Sequence, residues 1–515
     1  MSRRQWGAGV AGALVTAGGV AAREGASRLA VSLRLDLGPD FGQNPGTLFE
    51  VKDAAGKVVA GAGFPAVFNT RFRMDRFSVQ FFVRPAGGEA PLMLRRLPRP
   101  DDDCGLYMFD HAGRLFAIND STGRFYHEWD ASAGAWRKAT GEVAPLQSSG
   151  DTVTRVAGKL LRFVGGRAEY DGREVLSAPA VGRYAHLYYA QGRLYFYHAV
   201  RSQVGAFTRL CACAWNPDDP QPVDVTRGDT LPVAPPGVVT WAWGQLGGQV
   251  LTVTNYGGVY THGNQGWREV RPPSPGVSYQ VYSVLTHHDR LLLGQYPLGE
   301  VVEFDGEVLR PRSGFPPRLP GVSPSARECQ TLALYRGDLF AGVWPWAEVW
   351  RRDEPTAVWH SAGRLFSHPQ VTAQAVHPYE EECRARGLVI NDWGQRVTSM
   401  ACVGDSLYLS TSAKGNHRWE PKNDFLTEAQ RKEYGAVLQL RLPGCLTAPV
   451  AWKGRPTRLD FLVQADRLAI LQDGRLLGET PFAATTWPIP NGEVVWGRGV
   501  FGPLQARITE SRLVR

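Results

Sequence analysis

The chain has 515 residues, 43% of them hydrophobic, with 58 Gly, 36 Pro and a formal net charge of +8 at pH 7. That length exceeds one ordinary compact domain, and the apolar content excludes a disordered chain. The basic residues are scattered, with pairs at Arg95-Arg96 and Arg351-Arg352 but no long Lys/Arg tract and no nucleic-acid motif. Such scatter reads first as an ordinary solvated surface; as a partner signal the charge favours polyanionic glycans or anionic envelopes over nucleic acid.

Residues 1–22 read as an export signal. Ser2-Arg3-Arg4-Gln5-Trp6 precedes a weakly hydrophobic Gly/Ala/Val stretch ending at Ala22, and the polar Arg23-Glu24 follows. The Ser-Arg-Arg-x-aromatic start resembles the twin-arginine type, with an ordinary Sec signal as the alternative. No later apolar stretch is long enough to span a bilayer, so the expected location is periplasmic or extracellular. The cysteines Cys104, Cys211, Cys213, Cys329, Cys383, Cys402 and Cys445 are odd in number and form no CxxC pair of the zinc kind. Buried free thiols are expected, with one or two disulfides as the alternative.

Alternating apolar runs from Arg28, through Gly46-Thr47-Leu48-Phe49-Glu50-Val51, to Phe77 predict strands over 28–84. Asp101-Asp102-Asp103 reads as a charged linker or as a contact for a structural cation such as calcium; no other cofactor is implied.

Over 104–442 a short phrase recurs, a small or polar residue, a charged or polar residue, then apolar ones. It is written at Gly113-Arg114, Gly158-Lys159, Gly192-Arg193, Gly248-Gln249, Asp289-Arg290, Gly337-Asp338 and Asp405-Ser406. A second set of turns follows four of them, as in Asp171-Gly172 and Asp305-Gly306. A tight turn into an apolar run at this period predicts a β-propeller of about seven blades, with six or eight as alternatives. The stretch resembles a bacterial propeller of the Kelch or sialidase-like superfold. It matches no subclass: the WD dipeptide pattern and a run of Asp-box motifs are absent, and Gly165-Gly166 alone is similar to Kelch.

The tail carries an apolar strand into Asp473-Gly474-Arg475-Leu476, then a Gly-rich stretch and a last strand with Arg507-Ile508, where Ala506 replaces a Gly. It resembles the second half of a concanavalin A-like (laminin G-like) jelly roll, and the head, with 46–51, resembles the opening strands of that fold. Either piece alone is too small for a two-sheet sandwich, whereas together they reach ordinary domain size. The expected fold class is thus all-β, a propeller at 104–442 inserted into a sandwich made from 28–84 and 446–515.

Three links at equivalent blade positions carry aromatics beside polar groups: Tyr256 and Tyr260; Tyr296 and Glu300; Trp344, Trp346 and Glu348. Rings beside amides and carboxylates on one end of the disc would make a sugar platform; the alternative is that they wedge between blades. His262, His287 and the turn with Asn391, Asp392 and Arg396 are further ligand candidates. Some polysaccharide lyases combine His, Tyr and Arg on a propeller, and a glycoside hydrolase needs two facing carboxylates. The insertion holding His368, His377, Glu380 and Cys383 lacks HxxxH and HExxH spacing, so no metal is expected there. Phosphate-loop and nucleophile-elbow motifs are absent. The expected function is an exported protein of the cell envelope binding a glycan or acidic polysaccharide. A carbohydrate-active enzyme and a protein-interaction scaffold are the alternatives.

Overall fold

The computed structural model describes residues 29–515 apart from 39–44, 66, 70–76, 86–91, 120–125, 140–151, 202–204, 237–239, 416–418 and 484–491. The expected export signal lies outside the described residues.

Seven antiparallel sheets of four or more strands follow one another at 107–138, 152–176, 183–232, 240–271, 280–312, 328–364 and 395–441. We number them blades 1 to 7. The first strands of blades 2 to 7 touch in succession, and that of blade 7 touches that of blade 1. Blades 1 and 2 share a core in which Phe109, Phe116 and Tyr126 meet Val153. The ring is closed, and the middle of the chain is a β-propeller. Blade 7 supplies only three strands of its own. Its fourth is Leu94–Leu97, which pairs with Val437–Arg441 and comes from before the expected start at 104. Val67–Asn69 adds in the same way to Gln280–His287 of blade 5.

Every recurring phrase falls at the hairpin between the first and second strands of a blade. Each is a two-residue turn whose first residue is left-handed, from φ +48° at Ala157 to +59° at Gly404. Such turns match the twist of paired strands and demand φ > 0, which explains the small or polar residue followed so often by Gly. The second set of turns joins third and fourth strands.

The two remaining sheets draw strands from both ends of the chain. In one, Leu29–Asp36 lies between Thr457–Val463 and Arg507–Val514, with Arg467–Gln472 and Arg475–Pro481 beyond. In the other, Ser78–Val83 lies between Cys445–Pro449 and Val58–Phe64, followed by Gly46–Lys52 and Val494–Trp496. Alternation in Leu29–Asp36 sends Leu29, Val31, Leu33 and Leu35 inward. They share one core with Phe49, Phe81 and Phe461, whose rings lie 5.3 Å (Phe49–Phe461) and 5.5 Å (Phe81–Phe461) apart.

This sandwich sits on the end of the disc that carries the first-to-second-strand hairpins. Thr447 N donates to Gly404 O (2.6 Å), His288 N to Val500 O (3.3 Å) and Gln80 Nε2 to Leu334 O (3.1 Å). Pro449 packs on Gly113 and the Phe82 ring on Gly337, where a Cβ would come within 2.7 Å of that ring. The junction is fastened by Asp338, which is fully buried and accepts from Arg84 of the sandwich (2.5 Å) and from Arg351 (2.5 and 2.9 Å). All seven cysteines are free thiols; Cys402 is half-buried and the others are buried. Among the described residues no helix is long and apolar enough to cross a membrane.

Candidate functional site

The three aromatic links join second to third strands and so emerge on the end of the disc away from the sandwich. They form no open shelf there, which corrects the expectation. Each reaches across to the next blade through an isolated parallel bridge, Tyr256 to Tyr279, Leu298 to Arg327 and Trp346 to Gln395. Trp344, Trp346, Tyr260 and Glu348 are buried. Trp346 Nε1 donates to Val376 O (3.2 Å) and lies under the Arg364 guanidinium, while Trp344 is flanked by His377 and Lys414. The insertion between blades 6 and 7 supplies these contacts, through Val376 to Trp346 and His377 to Trp344.

The polar candidates on this end are taken up by structural partners. Glu348 accepts from Arg327 (3.0 Å) and Leu319 N (2.8 Å). Arg396 is buried and donates to Glu328 (3.4 Å) and Lys414 O (3.2 Å). Glu300 accepts from Gly314 N (2.9 Å). Tyr256, Tyr296, Glu300, Asn391 and Asp392 are half-buried. His262, which lies at the other end of blade 4 beside its third-to-fourth-strand turn, is buried between Asp229 (3.1 Å) and the Tyr195 hydroxyl (3.3 Å), and burial lowers its pKa despite the carboxylate. The Asp101–103 run does not converge either: Asp101 accepts from Asp103 N, Asp103 from Gly105 N, and Asp102 pairs with Arg99.

Convergence occurs instead at the sandwich-covered end. There a cavity of about 200 Å³ lies between the sandwich and the hairpins of blades 5 and 6, lined among others by Glu50, Lys57, Phe82, Arg84, His288 and Glu354. His287 ends the first strand of blade 5, and His288 opens the following turn at φ +51°. Glu354 starts the turn between the third and fourth strands of blade 6. Its Oε1 lies 2.6 Å from His287 Nε2 and 3.5 Å from His288 Nε2. Arg352 Nη1 holds both carboxylate oxygens, at 2.8 and 2.6 Å. From the sandwich side, Glu50 accepts from Val500 N (2.7 Å).

These groups alter one another's protonation. Burial is the largest influence on the Glu50 carboxyl and raises its pKa, against the Val500 N–H and the charges of His288, Arg84 and Lys52. Burial also dominates at His287 and lowers its pKa, so its ring is favoured neutral. At His288 burial works against the charge, but Glu354 and Glu50 together raise the pKa. At Glu354 burial is likewise opposed and outweighed; His287, His288 and Arg352 hold the carboxyl far below its ordinary range. The two carboxyls are thus shifted in opposite directions on either side of His288.

Sequence reasoning singled out His287, and the adjacent His288 was visible beside it. It missed Glu50, Lys57, Arg84 and Glu354. The signal for Glu354 was present: in a propeller the first hairpin of one blade and the second hairpin of the next share an end of the disc.

No protein-family model matches the chain, and no curated protein is similar to it. Among solved structures it is similar to the computationally designed protein Ika8, at 12% identity, covering 69% of this chain and 100% of that one, with a TM-score of 0.34. It is similar to YCF48 bound to D1 peptide at 9% identity, over 70% of this chain and 99% of that one, TM-score 0.38. The WD40 β-propeller domain of Doa1 aligns at 11% identity, over 69% of this chain and 97% of its own, TM-score 0.34. The fold assignment rests on the strand order described above.

Proposed function

We propose that the terminal sheets form a concanavalin A-like (laminin G-like) jelly roll split by the inserted propeller, and that the chain is an exported envelope protein that binds an acidic glycan, seating one acidic sugar residue in the junction cavity. The observation that carries this reading is the convergence of Lys57 and His288 with Glu50 and Glu354 around that cavity, beside Arg84, which Asp338 already holds. Cationic groups match a sugar carboxylate, and carboxylates accept from hydroxyl groups. A volume near 200 Å³ falls below the about 300–1,000 Å³ of sites for drug-sized ligands and suits a single ring.

Calorimetric titration tests the reading, with oligosaccharides ending in glucuronate or galacturonate set against their neutral counterparts. The acidic forms should bind at least about tenfold tighter, and Lys57→Ala should remove that margin, equivalent to roughly 1.4 kcal/mol. Equal binding of neutral sugars, or none of acidic ones, overturns it. A glycosidase reading draws support from the opposed directions in which the Glu50 and Glu354 carboxyls are shifted. Product analysis on the same acidic oligosaccharides separates cleavage from binding.

A further inference from the structure

We propose that His287, His288 and Glu354 form a binding site for a divalent transition ion of the zinc type, with its open coordination position facing the junction cavity. This does not depend on the glycan reading. The ligand atoms, one from each side chain, all lie within 4.8 Å of one another, and among the described residues this is the one such grouping of three His, Cys, Asp or Glu side chains.

The local backbone explains how neighbouring residues contribute to one point. Consecutive strand residues face opposite ways, but His288 is the left-handed first residue of the turn, and its ring swings back beside that of His287, with centroids 4.6 Å apart. Glu354 arrives from the adjoining blade, and the Arg352 fork fixes its orientation. Such an outer hydrogen bond to a ligating carboxylate is the usual support of a metal site.

A second observation separates this cluster from an ordinary ion pair. His287 is 7% exposed, and its Nε2, 2.6 Å from Glu354 Oε1, has no other hydrogen-bond partner. Two imidazole nitrogens and a carboxylate oxygen gathered this closely are arranged as ligands of a common atom are. Around a tetrahedral zinc with bonds of about 2.0–2.1 Å, neighbouring ligand atoms sit roughly 3.3–3.5 Å apart. The separation of His288 Nε2 from Glu354 Oε1, 3.5 Å, already has that value, and the 2.6 Å pair needs a small opening.

The donor set selects the ion. Two imidazoles and one carboxylate suit zinc and its neighbours, whereas calcium and magnesium call for six or more oxygen ligands. Three protein ligands leave a fourth position, which faces the cavity lined by His288 and Glu354. Zinc sites with one open position are those that handle water or a ligand, in contrast to closed four-ligand structural sites.

The experiment is a titration of the chelator-treated, redialysed full chain with zinc chloride alone, followed by calorimetry and elemental analysis. One equivalent per chain with micromolar or tighter affinity is expected. His288→Ala, at an exposed turn position, should weaken it by more than about 100-fold. Glu354→Gln should do the same without displacing the Arg352 side chain. Cobalt(II) in place of zinc should give the visible bands of a four-coordinate centre in the wild type and not in His288→Ala. Absence of stoichiometric zinc, calcium binding as tightly as zinc, or undiminished affinity in both variants overturns the proposal. None of these readouts involves a sugar, so failure here leaves the glycan titration independent.

Discussion

The two ends of the propeller disc are built from the same side-chain types and put them to different use. On the end away from the sandwich, Glu, Arg and Trp are matched locally: Glu348 to Arg327, Arg396 to Glu328, Trp346 to Val376. On the covered end, groups from blade 5, blade 6 and the sandwich crowd one cavity, and His287 Nε2 has no hydrogen-bond partner beyond Glu354. Pairing consumes chemistry, because a satisfied buried ion pair has no valence left for a ligand. Abundance of aromatic and ionisable residues at one end of a propeller is therefore a poor guide to its site. Unequal partnering is a better one.

Substitutions can break this contrast, and the largest effect should come from the junction itself. Asp338→Ala leaves buried Arg84 and Arg351 with only the more distant Asp353, at 3.6 and 3.7 Å, as a counter-charge and should cost about 3–5 kcal/mol in chemical denaturation. If the sandwich and propeller unfold separately in wild type, the loss should appear in both transitions. Trp346→Ala comes next, at about 3–5 kcal/mol for a buried ring, seen as a lowered thermal midpoint. Because that indole lies at the opposite end, zinc and acidic-sugar binding should be unchanged in the folded protein.

A smaller effect sharpens the assignment of charge at the covered end. Glu354 has a depressed folded-state pKa, so its contribution to stability is present above its ordinary value of 4.5 and is lost as pH falls through and below it. The midpoint gap between wild type and Glu354→Gln should hold near neutrality and close below about pH 4.5. A gap that widened on acidification would assign the opposite sign to this carboxyl. His288→Ala should have the smallest effect on stability, within about 0.5 kcal/mol, since the side chain is exposed at a turn.

The blades were legible because their turns are chemically demanding. A two-residue hairpin at φ > 0 restricts residue choice, so Gly113, Gly158, Gly192 and Gly337 announce themselves. The joining of the chain ends was readable from size, since neither 28–84 nor 446–515 alone can make a two-sheet sandwich, while the alternation of Leu29, Val31, Leu33 and Leu35 marked the first strand. The orientation of the aromatic links was not. Blade strands are covered on both faces, so apolar runs such as that around Trp344 carry no alternation to tell an inward ring from an outward one. The seventh blade's borrowed strand, Leu94–Leu97, was hidden by its brevity and by two arginines in four residues. The site needed two facts beyond periodicity, the register between adjoining blades that brings Glu354 to His287 and the docking of the sandwich that brings Glu50 to His288.

The borrowed strand and the split sandwich also govern the order in which the polypeptide can mature. Leu29–Asp36 emerges first from the ribosome, yet its two neighbours are Thr457–Val463 and Arg507–Val514. Leu94–Leu97 waits likewise for Val437–Arg441. Until those late strands are made, these early segments remain open-edged and competent to join a foreign sheet. Shortening the chain by its last strand would thus reopen an edge made at the very beginning, and the defect should show as aggregation of nascent protein before any loss in the propeller.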